Sequence, residues 1–148
     1  LVHRGVARRD GHRRRAGACG SSMMSDPDEM RSMIADVRAE NDAHRANGAS
    51  AGTLDAMHEE TVRHEGAMGD MMGEMSMMMD GMSHCSGPGM EHMRGMHEGM
   101  TGEMTRHDAA MDAAADLPTA RDEVGRHGQT MAGMLDGMDT AAGHMDCM

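Results

Sequence analysis

Residues 57–82 read MHEETVRHEGAMGDMMGEMSMMMDGM. Met57, Thr61, His64, Met68, Met71, Met75, Met78 and Met82 recur there at alternating steps of four and three. That is the spacing of a single helix face buried against neighbouring elements. The face is thioether, with one imidazole set in it.

The pattern returns further along the chain. Sliding the sequence on itself by 63 residues pairs Glu60 with Glu123, Arg63 with Arg126, His64 with His127, Met68 with Met131, Met71 with Met134, Met75 with Met138 and Met82 with Met145. Upstream, Arg31 pairs with Arg94, Met33 with Met96, Glu40 with Glu103, His44 with His107, Ala46 with Ala109, Ala51 with Ala114 and Leu54 with Leu117. So many identities without a gap indicate a tandem duplication, each copy one helical hairpin. Two hairpins with short turns predict an all-α, antiparallel four-helix bundle over residues 26–148, with copy one at 27–82 and copy two at 90–145.

The punctuation agrees. Asp26 and Pro27 open a first helix, whose face runs Met30, Ile34, Val37, Asn41, His44, Gly48 and Ala51. Thr53 is the expected N-cap of a second helix reaching about Asp80, and Gly81–Gly89 forms the loop between copies. A third helix carries Met93, His97, Met100, Met104, His107, Met111 and Ala114; Asp116 then caps a fourth, with Ala120, Val124, His127, Met131, Met134, Met138 and Ala141 on its face.

The core material is unusual. The 148 residues include 24 methionines and no Phe, Trp or Tyr. Beyond residue 20 the branched aliphatics are Ile34, Val37, Leu54, Val62, Leu117, Val124 and Leu135, so methionine and alanine must fill the interior. Methionine is adaptable and specifies packing poorly. Ten glycines inside the expected helices, Gly66, Gly69 and Gly73 among them, each cost up to about 1 kcal/mol relative to alanine.

Residues 1–18 carry six arginines and one aspartate, a balance of +5, so the −11 of the whole chain leaves −16 on the rest. A body this acidic attracts cations and argues against a nucleic-acid partner. The arm at residues 1–25 reads as disordered and basic. Its segment Ala16–Ser22, with Cys19, resembles the cleavage site of a bacterial lipoprotein, although Arg13–Arg15 stand where such a leader needs leucines. Two readings of the arm stay open: the remnant of a leader, with Cys19 lipidated as a membrane anchor, and a plain unstructured tail.

A glutamate precedes a histidine by four residues once in every helix: Glu40 and His44, Glu60 and His64, Glu103 and His107, Glu123 and His127. On a helix that spacing lays the carboxylate one turn from the imidazole, where it can fix the tautomer of a metal-binding histidine. By the duplication, His44 and His107 should share one level of the bundle and His64 and His127 another. Thioether is soft and uncharged and selects Cu(I), and imidazole also accepts Cu(II), so copper is the metal both ligand types share. Candidate thioether ligands are Met68, Met71, Met75, Met104, Met131 and Met134. A second, more exposed group comprises His84, Cys85, His92, His97, His144 and Cys147. For Cys85 and Cys147 a disulfide and a two-thiolate Cu(I) site are both open.

Enzyme signatures are missing. A ferritin-like di-iron site needs Glu and His three residues apart, and the sequence holds no phosphate loop, GxSxG elbow or paired CxxC.

In composition and period over residues 23–148, the chain resembles the Met- and His-rich copper-handling proteins of the bacterial envelope, and its expected architecture is similar to that of the four-helix copper storage proteins. It departs from the latter in lining material, theirs being cysteine. The resemblance implies copper binding or buffering in the periplasm or outer envelope. The competing expectation is a metal-free structural or stress-response bundle, in which methionine serves as packing or as an oxidant sink.

Overall fold

Three side-chain caps start three of the four helices. Asp26 accepts a hydrogen bond from the Glu29 N–H, Thr53 from that of Ala56 and Asp116 from that of Thr119. The helices are α1 (Pro27–Ser50), α2 (Leu54–Gly81), α3 (Pro88–Ala113) and α4 (Leu117–Ala142). The computed structural model describes residues 25–147. The basic arm and Cys19 lie outside the described residues, apart from Ser25. Each helix packs on its sequence neighbours, and α4 closes the ring against α1, giving an antiparallel four-helix bundle.

The core is methionine, as composition requires. Met30, Met57, Met68, Met75, Met82, Met93, Met100, Met111, Met131 and Met138 are all fully buried. The seam departs from the expected 4–3 alternation on three helices. On α3, His97 and Met104 are only partly buried, and Glu103 is buried. On α2, Met72 and Met79 are buried, whereas Met71 and Met78 are only partly so; on α4, Leu135 is buried in place of Met134. A straight helix turns once every 3.6 residues and drifts against a strict seven-residue repeat, so beyond Met68 and Met131 the next inward step is four.

The apolar interior is divided in two. The larger cluster runs through Ile34, Val37, Met68, Met72, Met100, Met131 and Leu135; the smaller comprises Ala51, Met57, Met111, Ala114, Ala120 and Val124. Along every helix, the histidine of the Glu/His pair falls between the two.

At the other end of the larger cluster the ends of the two copies are tied together. Cys85–Ser86 (β1) pairs antiparallel with Asp146–Cys147 (β2), with Cys85 opposite Cys147, and the two cysteines form a disulfide. The sequence places this segment in a loop and a tail; the two-residue strands are too short to carry a periodic signal. Gly87 adopts φ +92°, and a Cβ on Gly89 would lie 2.6 Å from the Ala141 carbonyl oxygen. Both glycines are therefore needed to turn α3 in against the end of α4.

Candidate metal centre

His44, His64, His107 and His127 have no solvent exposure. They meet on the bundle axis. His44 of α1 and His64 of α2 stack with ring centroids 3.8 Å apart and planes 2° from parallel; His107 of α3 and His127 of α4 do the same at 3.8 Å and 12°. The two stacks face each other edge-on, at interplanar angles of 80–86°. Across the axis, His44 Nε2 lies 3.3 Å from His107 Nε2, and His64 Nε2 lies 3.3 Å from His127 Nε2. The facing partners are those related by the duplication, and the two levels are separated by one ring thickness.

The carboxylates reach the outer nitrogens by a route that the i, i+4 spacing does not describe. His44 Nδ1 donates to Glu60 at 3.2 Å and His64 Nδ1 to Glu40 at 3.1 Å; His107 Nδ1 donates to Glu123 at 3.0 Å and His127 Nδ1 to Glu103 at 2.9 Å. The expectation that each glutamate serves the histidine on its own helix is corrected: the partners are exchanged within each hairpin. Antiparallel packing sets each glutamate beside the histidine of the neighbouring helix, while its own histidine, one turn on, points to the axis.

Arginines close the outer layer. Arg63 bridges Glu40 and Glu60 at 2.8 and 2.6 Å, Arg126 bridges Glu103 and Glu123 at 2.5 and 2.8 Å, and Arg106 contacts the same two at 3.0 and 2.9 Å. Burial raises the carboxyl pKa of Glu60, but the hydrogen bonds from Arg63, His44 and Asn47 outweigh it and bring it down to about 2. Glu40 is lowered against the same opposition, by Arg63 and His64. The histidine values are lowered as well, but here burial is the cause: reinforced by the neighbouring imidazoles, it lowers His44 to about 4 and His127 to about 3, and it also lowers His64 and His107. No role follows from the sequence for these arginines, although the duplication pairs Arg63 with Arg126 and so marked two of them.

The remaining candidates are spread out. Met68 and Met131 are buried one turn beyond His64 and His127, and Met75 is buried farther along α2, whereas Met71, Met104 and Met134 lie partly exposed at the edge of the larger cluster. His97 donates its Nε2–H to the Met72 carbonyl at 2.9 Å, a tie between α3 and α2. His92 and His144 are exposed and line a shallow cavity of about 260 Å³ with Gly89 and Ala141. His84, Cys85 and Cys147 form a separate cluster at the strand pair.

Comparison with protein-family models, with curated proteins and with solved structures finds no match for this chain.

Proposed function

We propose that the protein binds and buffers copper in its histidine core. The observation that carries this reading is the pair of Nε2···Nε2 contacts at 3.3 Å. Each Nδ1 gives its hydrogen to a carboxylate, so a neutral ring presents a bare lone pair at Nε2. Two bare lone pairs repel at this distance unless something positive lies between them. Moving the hydrogen to Nε2 would leave a carboxylate facing a lone pair on the other side. A shared proton would place a charge where the rings have no exposure to water. A metal ion satisfies both nitrogens at once. With imidazole–metal bonds of about 2.0–2.1 Å, a 3.3 Å separation corresponds to an angle of roughly 110° at the metal.

Among the divalent ions that imidazole accepts, Cu(II) binds most tightly, and the methionine interior suits Cu(I) as well. The carboxylates and arginines supply the outer hydrogen bonds that hold such rings in one tautomer. The disulfide supports an oxidising setting such as the bacterial periplasm or outer envelope, where a lipid anchor at Cys19 would also operate.

Titration of the purified protein with Cu(I) and Cu(II) against competing chelators tests the proposal. Uptake of at least one ion below micromolar free metal is expected, weakened at least a hundredfold in His64→Ala/His127→Ala. No uptake in that range would leave the metal-free bundle, with thioether as packing or oxidant sink, as the reading.

A further inference from the structure

The strand pair at the end of the bundle holds chemistry that the histidine core does not use. Antiparallel pairing sets Cys85 opposite Cys147, with Cα atoms 4.1 Å apart, and Ser86 opposite Asp146. His84 Nε2 lies 3.6 Å from Cys85 Sγ, and one ligand atom from each of His84, Cys85 and Cys147 falls within 4.8 Å of the other two. His84 Nδ1 is buried without a hydrogen-bond partner. Such an orphan is uncommon for a buried ring nitrogen. Beneath the cluster Met82 is fully buried, and the Cys85 N–H donates to its carbonyl at 2.8 Å, anchoring the approach to β1.

We propose that reducing this disulfide opens a second soft-metal site, with Cys85, Cys147 and His84 as ligands of a Cu(I)-class ion. A dithiol supplies two electrons and two protons: the Cys85–Cys147 bond breaks, two thiols form, and the dithiol closes to its own disulfide. Metal binding then releases the two thiol protons and leaves two thiolates and one imidazole on the ion. Reduction breaks the sulfur bond and no other, and the β1–β2 backbone pairing sets Cys85 opposite Cys147. Oxidation closes the site, since a disulfide sulfur is a poor ligand and the pair then acts as a staple between the two copies. Uptake at this end of the molecule is thereby set by thiol redox state, whereas the axial histidines have no redox gate.

The test compares metal uptake by oxidised protein with that of protein reduced by a dithiol and freed of it by anaerobic gel filtration. Cu(I) is the probe for stoichiometry and Cd(II) for the thiolate-to-metal charge-transfer band. One additional ion per chain is expected on reduction, together with the ultraviolet band. The extra ion and band should be lost in Cys85→Ser/Cys147→Ser, and His84→Ala, which retains both cysteines, should bind that ion at least tenfold more weakly. Equal stoichiometry before and after reduction, with no band, overturns the proposal. The result is independent of the histidine core: uptake only after reduction would uphold this site and remove the axial one, and uptake only before or equally would do the reverse.

Discussion

Glu40 and Glu60 exchange histidines between α1 and α2, so each carboxylate ties two helices together as well as orienting a ring. If the rings hold metal, Glu40→Gln should weaken copper affinity by 10–100-fold while leaving the far-ultraviolet circular dichroism unchanged, because it disturbs a group bonded to the ligand and no ligand itself. Acid acts on the same set. In metal-free protein His44 and His127 have folded pKa values of about 4 and 3, below the ordinary 6.5. Between pH 6.5 and about 4 the unfolded chain therefore binds protons that the folded chain does not, and stability falls as pH drops through that window. For two such groups the slope approaches roughly 2–3 kcal/mol per pH unit. Urea midpoints measured between pH 7 and 4.5 in the presence of a chelator should show it, and added copper should flatten the upper part of the curve by competing with the protons.

At the scale of the element, glycine decides how far helix propensity is overruled. A Cβ on Gly66, Gly69 or Gly73 of α2 would meet nothing within 4 Å. Each Gly→Ala change there should raise stability by about 0.5–1 kcal/mol in a denaturant titration. Gly89→Ala should do the opposite, by more than that and with a frayed start to α3, because the added carbon meets backbone of Ala141 and His144 at 2.6 Å. Both kinds of glycine read alike in sequence. Helix existence, caps and turns were legible because Asp26, Thr53, Asp116 and the first-turn prolines act within a few residues. On the buried face of α2, Met57, Thr61, His64, Met68, Met75 and Met82 were legible in the sequence, whereas helical drift exchanged Met71 for Met72 and Met78 for Met79.

For the whole molecule, the Cys85–Cys147 bond spans 62 residues and joins the ends of the two copies. Chain-entropy reasoning assigns a loop of that length about 4 kcal/mol. Reduction should lower the thermal midpoint accordingly, and Cys147→Ser should reproduce the loss without a reductant. Because the histidines lie beyond the large methionine cluster from the strands, copper uptake at the axis should survive reduction while the protein remains folded. The duplication has a counterpart in this layout: facing imidazoles come from equivalent positions of different copies, and stacked imidazoles from the two helices of one copy.

Residue order alone determined that the chain is a duplicated pair of helical hairpins, that methionine must form its interior and that four histidines face inward, since period, composition and capping are local properties. Only the tertiary structure decided which glutamate meets which histidine, that the two levels of imidazoles stack directly on one another, that Arg63, Arg106 and Arg126 clamp the carboxylates, and that Cys85 and Cys147 are bonded. Those depend on the stagger between antiparallel helices and on where the ends of the two copies meet. A displacement of one turn along either helix leaves the sequence pattern unchanged while exchanging every partner.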